Sequence, residues 1–258
     1  MSPFRQIARA AVIAALSAAP FAGALATPAN ASTTPRPSHT PRHRHAVTPL
    51  GDLIRHTAQS TSVNWAGYAA VGSRYTSVSA TFTLPALDCG SGDGYSAFWV
   101  GLDGFTSQTV EQTGIEADCT GGVAGYSAWY ELYPGTPVTY DALVRPGDAV
   151  SVRVGYVGAG GFVLTVTDST EGWQRSASGT LGNAARSSAE VITEAPFGDH
   201  VLPLADFGTV RFTGTQVDGT GLSAFKPVGV DMVSPTGTLK ATVSGLSANA
   251  FSVTWHSF

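Results

Sequence analysis

From Asn64 to the C-terminus, apolar and polar residues alternate with a period of two, and turn-forming residues recur at intervals of roughly ten positions. Residues two apart on an extended strand share a face, so a chain patterned this way buries its apolar half only by packing sheet on sheet. Val78, Ala80, Phe82 and Leu84 alternate with Ser79, Thr81 and Thr83, and Val150, Val152, Val154 and Tyr156 repeat the pattern. Phe162, Leu164 and Val166 follow, with further strands expected over 208–213, 238–243 and 251–255. The 30 glycines and 15 prolines supply the turns between them. The expected fold is all-β, an antiparallel β-sandwich without an internal repeat.

Two segments carry chemistry where the others carry Ser and Thr. Over 127–133, Trp129, Glu131 and Tyr133 fall on one side of a strand, and an aromatic–carboxylate–aromatic face turned outward suits a ligand groove. The alternative is that Glu131 is a half-buried structural acid. Over 188–197, Glu190 and Glu194 share a face about 13 Å apart at strand rise, too far to share a proton. Whichever of them is catalytic needs a partner from another strand. The stretch 98–114 holds Trp99, Asp103, Glu111 and Gln112 among glycines, and reads as a site-bearing loop centred on Gln112. A glutamine has no useful pKa, but its amide can hold an attacking water and donate to an oxyanion if a carboxylate stands opposite.

The first 26 residues have Arg5 and Arg9, an apolar run broken by Pro20, and the small-residue site Ala24-Leu25-Ala26, as in a secretory signal peptide. Ala29-Asn30-Ala31 is a second candidate cleavage site, and a membrane anchor is the alternative, for which the run is short. Residues 27–60 read as a linker or short pro-segment, poor in anything to bury. Residues 61–258 then form a single domain. All 18 acids follow residue 51 and only 9 of the 14 basic residues do, a net −9 for that part of the chain. Nucleic acid is thereby excluded as a partner, since phosphates demand a basic face. Acid conditions suit such a domain, because self-repulsion falls as carboxylates protonate. The two cysteines, Cys89 and Cys119, are expected to form a disulfide in an exported chain, stabilising the fold by about 3–4 kcal/mol on the chain-entropy model. Such a bridge either preorganises the segment bearing Gln112 or is a staple without catalytic consequence.

Several chemistries lack their motifs. No Asp-Thr-Gly or Asp-Ser-Gly, no Gly-x-Ser-x-Gly and no His-Glu-x-x-His occurs, so a two-aspartate peptidase, a serine elbow and a zinc site all lack support. Asp199-His200 alone does not make a serine triad. No metal and no other cofactor is expected.

Six motifs stand in order: Asn64-Trp65-Ala66-Gly67-Tyr68, Trp99-Val100-Gly101-Leu102-Asp103-Gly104, Gln112-Thr113-Gly114, Trp129-Tyr130-Glu131-Leu132-Tyr133-Pro134, Ala189-Glu190-Val191-Ile192-Thr193-Glu194 and Ala205-Asp206-Phe207-Gly208-Thr209-Val210. Over about residues 62 to 258 the chain resembles the glutamic peptidases, or eqolisins. The resemblance implies a lectin-like sandwich of two curved sheets whose concave face binds a peptide, with Gln112 and Glu194 as a catalytic dyad acting on water at acid pH. It places Trp65, Asp103, Trp129, Glu131 and Tyr133 in or around the cleft, where Trp99, Glu116 and Glu190 are also expected. Fungal members usually have Trp where this chain has Val191, and Asp where it has Ala195, departures that touch the surroundings of Glu194.

The expected function is a secreted, extracellular acid endopeptidase. Its partners would be polypeptide substrates, with no membrane association after the leader is removed, and it would be a monomer. The alternative is a glycoside hydrolase or glycan-binding sandwich that uses Glu131 and Glu194 as paired acids, which glycosidases hold about 5–10 Å apart.

Overall fold

The computed structural model describes residues 59–258, so the expected leader and nearly all of the linker lie outside the described residues. Sixteen strands follow one another: β1 (Gln59–Ser62), β2 (Trp65–Val71), β3 (Ser77–Thr83), β4 (Gly94–Leu102), β5 (Val110–Thr120), β6 (Val123–Tyr133), β7 (Val138–Thr139), β8 (Ala149–Gly158), β9 (Gly161–Asp168), β10 (Trp173–Thr180), β11 (Ser188–Glu194), β12 (Thr209–Val217), β13 (Thr220–Gly221), β14 (Val228–Val233), β15 (Leu239–Val243) and β16 (Phe251–Trp255). A short 3-10 helix, Leu222–Phe225, precedes β14. Among the described residues no helix is long and apolar enough to cross a membrane.

The ladder runs β10-β9-β8-β3-β12-β16-β15-β14-β2-β11-β4-β5-β6-β7, with β1 beside β14 and β13 beside β12. The two layers of the sandwich are therefore joined through β15 rather than being separate sheets. The front layer (β14, β2, β11, β4, β5, β6, β7) packs on the back layer (β10, β9, β8, β3, β12, β16), with β4 and β5 facing β8 and β3 facing β4 and β11. All neighbouring pairs are antiparallel except β1–β14, which is parallel.

The alternation that foretold the strands supplies the core. Ala80 and Phe82 of β3, Val150, Val152 and Val154 of β8, and Phe162, Leu164 and Val166 of β9 meet Phe98, Val100, Ile115, Ala128 and Val191 from the front layer. Rings span the two layers: Phe98 lies 6.0 Å from Phe82, and Phe82 lies 5.4 Å from Phe212. Phe98 also meets Phe207 edge-on at 5.4 Å. Strands β10 and β14 are not anticipated by periodicity. The first is an edge strand whose Ser- and Gly-rich residues leave no apolar signature, and its register with β9 holds it in place.

The stretch 98–114 departs from expectation. Only residues 103–109 are a loop; Phe98 to Leu102 ends β4, and Gln112 lies inside β5. Gln112 is paired with Gly101 on one side and Glu131 on the other, so ladder bonds rather than loop packing hold it. Cys89 and Cys119 form the expected disulfide, and Cys119 closes the far end of β5.

Phe98 ties the layers together directly beneath Trp99, so Phe98→Ala should destabilise the fold by about 3–5 kcal/mol. Urea unfolding monitored by tryptophan fluorescence measures this; a loss under about 1 kcal/mol would mean that the interlayer rings are not what clamps the layers.

Candidate active site

Strand β11 is the centre of the front layer, between β2 and β4, and all seven of its residues are buried. Ala189 and Val191 enter the interlayer core, whereas Ile192 belongs to a second apolar cluster on the opposite face with Trp65, Ala69, Ala97, Trp99, Val110, Trp129 and Val230. Glu190 and Glu194 share that second face by alternation. Register then arranges the face in rows across the strands. One row is Trp65, Glu194, Ala97, Glu116, Ser127; the next is Gly67, Ile192, Trp99, Gly114, Trp129; the third is Ala69, Glu190, Gly101, Gln112, Glu131.

Trp99 occupies the middle row and reaches both of its neighbours. Its indole N–H donates to Glu194 Oε2 at 2.9 Å. Its six-membered ring lies over Gly101, where a Cβ would come within 2.8 Å of Trp99 Cζ3 and 3.3 Å of Gln112 Cβ. At Gly114 a Cβ would stand 2.6 Å from Trp99 Cβ and collide with the Phe98 carbonyl. Two glycines therefore let a tryptophan form the floor between Gln112 and Glu194. Trp65 meets Trp99 edge-on at 5.1 Å.

Glu194 is fully buried and held by N–H donors. Asn64 Nδ2 donates to Oε1 at 3.1 Å, and the Trp65 indole also favours the charged form. Burial outweighs these donors and pushes the Glu194 carboxyl well above its ordinary range; Trp65, Trp99 and Asn64 pull it back. Asn64 was legible as a motif member but not as a partner of Glu194. It is aligned by the Ser62 hydroxyl, which donates to Asn64 Oδ1, and its carbonyl accepts from the Ala195 N–H at 2.8 Å.

Gln112 is buried, and its Nε2 donates to Glu131 Oε2 at 2.8 Å. That bond fixes which way the carboxamide points. Trp129 and Glu131 are fully buried and Tyr133 is half-buried, so the side chains expected on an open face are covered.

Asp103 braces the face rather than lining it. With φ 69° it turns the chain out of β4, and its carboxylate accepts from the N–H groups of Arg186 (2.6 Å) and Ser187 (2.8 Å) and from the hydroxyl of Ser107 (3.0 Å). Two buried acids stand near it with no hydrogen-bond partner for either oxygen, Glu111 and Glu190. Burial, reinforced by Asp103, raises Glu111 to about 9 and puts Glu190 well above its ordinary value. Glu116 is likewise raised by burial and by Asp118, Glu194 and Glu131, and burial takes Asp118 to about 7. Asp118 went unread in the sequence, and Glu111 was read only as part of the stretch around Gln112, since isolated acids at strand positions look like solvent-facing residues. Among the described residues, no three His, Cys, Asp or Glu side chains are grouped to hold a metal ion.

The profile of the Peptidase A4 family matches residues 63–255. The chain belongs to the peptidase A4 family. It is accordingly a member of a family of hydrolases, with aspergillopepsin-2 of Aspergillus niger 32% identical over 190 residues, 64% of this chain and 67% of that one. Scytalidopepsin B of Scytalidium lignicola is 30% identical over 169 residues, 64% of this chain and 59% of the relative, so the chain spans little more than half of that relative's length. Among solved structures, scytalido-glutamic peptidase with a transition state analog inhibitor superposes with TM-score 0.67 at 26% identity, covering 76% of this chain and all of that one. Aspergilloglutamic peptidase from Aspergillus niger gives TM-score 0.54 at 27% identity, over 63% of this chain and 99% of the other. The A4 match begins just before β2 and ends in β16, so it takes in all three rows of the face.

The raised acids set the sign of the pH response. A carboxyl whose folded pKa lies above its unfolded value binds its proton more tightly in the fold, so its stabilisation is complete below the unfolded pKa and declines as pH rises toward the folded one. From Glu111 (to about 9) and Asp118 (to about 7), thermal stability should be highest in acid and fall steadily from about pH 4.5 upward. Glu111→Gln, which cannot ionise, should flatten that fall. Melting temperatures measured across pH for both chains check this, and a wild-type maximum at neutral pH would contradict it.

Proposed function

We propose that this protein is a secreted acid endopeptidase in which Gln112 and Glu194 act together on a water and a peptide bond. The observation that carries the reading is the pair of fixed groups on either side of Trp99: a carboxyl that accepts from the Asn64 amide and the Trp99 indole N–H, and a carboxamide that donates to Glu131.

The chemistry follows from those contacts. Ionised Glu194 removes a proton from water as the water oxygen attacks the scissile carbonyl carbon. The carboxamide of Gln112, oriented by its bond to Glu131, donates an N–H to the developing oxyanion. Glu194 then passes its proton to the amide nitrogen, the C–N bond breaks, and the carboxylate is restored. Once solvent enters the cleft the effect of burial shrinks while the Asn64 and Trp99 donors remain, and hydrogen bonds to the charged form hold a carboxylate ionised in acid. Acid operation is therefore a property of Asn64 and Trp99 as much as of Glu194.

A peptide has to reach two side chains that are shut from solvent. We assign the required change to residues 27–60, whose Arg36, Arg42 and Arg44 and three histidines complement the acidic domain near neutrality and would be removed on acidification. Chains beginning at Ser32 and at Thr48 should then differ, the shorter being active at higher pH. Equal activity at every pH would make the segment a passive tether.

A glycosidase would need Glu131 free to serve as the second acid, and its bond to Gln112 argues against that. Gln112→Ala is the decisive variant, since it removes the oxyanion donor while leaving Glu194 and its Asn64 and Trp99 donors in place. Turnover of denatured casein in acid should fall at least a hundred- to a thousandfold, the usual cost of one such donor. A folded Gln112→Ala protein that cleaves casein as fast as wild type, or a wild type that hydrolyses soluble glucans instead, would overturn the reading.

A further inference from the structure

Strand β1 is short, yet it ends beside Glu194. It lies parallel to β14 with Ser62 level with Met232, and two residues on, the Asn64 carbonyl is tied to the end of β11 by the Ala195 N–H at 2.8 Å. Ser62 is buried in that turn and its hydroxyl is fully committed there. The oxygen accepts from the main-chain N–H groups of Asn64 (3.3 Å) and Trp65 (3.2 Å), and the proton goes to Asn64 Oδ1 (3.2 Å). A hydroxyl has one donor and two acceptor sites, so main-chain N–H groups on both lone pairs direct its proton at the Asn64 oxygen. A carboxamide has an accepting end and a donating end of nearly the same shape. With its oxygen held by Ser62, Asn64 turns its nitrogen to Glu194 Oε1 at 3.1 Å. Reversed, the same side chain would accept from the protonated carboxyl and favour the neutral acid.

We propose that Ser62 is a positioning residue for the reaction: its hydroxyl decides which end of the Asn64 carboxamide faces Glu194, and so keeps Glu194 able to serve as the base in acid. The assignment rests on the peptidase reading and goes beyond it, since Ser62 acts through Asn64 and not on the substrate. The titratable groups that share the face with Glu194 are Glu116 and Asp118 of β5, Glu131 of β6, Glu190 of β11 and Tyr95 of β4, none of them cationic. Asp231 of β14, next to β1, accepts from the Gln59 amide and the Val243 N–H. Neutral N–H donors, rather than any of these side chains, favour ionised Glu194, which is why the polarity of one carboxamide matters.

The test is the pH profile of kcat on denatured casein, measured on the full chain in acid, where the acid limb reports ionisation of Glu194 in the complex. Losing one hydrogen bond to a carboxylate is enough to move that limb upward by about one pH unit, and Ser62→Ala and Asn64→Ala should each do so. Their effects should not add: the double variant should match Asn64→Ala, because both act through one carboxamide. Ser62→Thr, which keeps the hydroxyl, should restore the wild-type limb. An unmoved limb in Ser62→Ala, even with kcat lowered at every pH, is what simple loosening of the turn gives, and it overturns the assignment while leaving the peptidase standing. So does an additive double variant, or a shift in Ser62→Thr as large as in Ser62→Ala. If Ser62→Ala does not fold, Ser62→Cys, a weak donor of similar shape, should move the limb the same way, and a limb left in place there overturns the assignment equally. A wild type that cleaves no casein at any pH removes the peptidase reading and this one with it.

Discussion

Everything on the candidate active face depends on the register of five strands, β2, β11, β4, β5 and β6. Side chains alternate across a strand, so a slip of one residue in β11 would send Glu190 and Glu194 into the apolar core and bring Ala189 and Val191 out. The interlayer phenylalanines and valines resist that slip because every one of them would have to leave the core with it. Core packing, usually regarded as a matter of stability, here determines which atoms face a substrate.

The face is also expensive. Glu111, Glu116, Glu190 and Glu194 are buried acids held above their ordinary pKa, and a sandwich selected for stability alone would carry apolar residues there. Neutralising them with protons rather than lysines lets the same groups survive burial in acid. A set of paired ions would be satisfied within the protein and would have nothing to offer a ligand.

Much of this was visible in the residues. Strands such as β3, β8 and β9 are half-buried and alternate cleanly, so their periodicity was decisive, whereas edge strand β10 has too few apolar side chains to leave a trace. Gln112, Glu194, Glu131 and the tryptophans could be named from motifs. What could not be read was their mutual arrangement: that Gln112 sits within a strand, that Glu131 holds it, and that Asn64 reaches Glu194 from 130 positions away. Such pairings arise from strand order, and strand order is a long-range property that local alternation does not encode. Closure of the face was equally hidden, since aromatic and carboxylate side chains on one strand face look the same whether the face is open or covered.

The two ends of β5 are secured by unlike means. At the Cys119 end a covalent bridge to Cys89 holds the strand whatever the proton concentration, while at the Val110 end the neighbouring loop is tied by hydrogen bonds to Asp103 beside acids that tolerate each other only when protonated. The strand is thus hinged at one end and buttoned at the other. As alkalinity weakens the button, the Val110 end of β5 loses support first, and Gln112 stands only two residues in from that end.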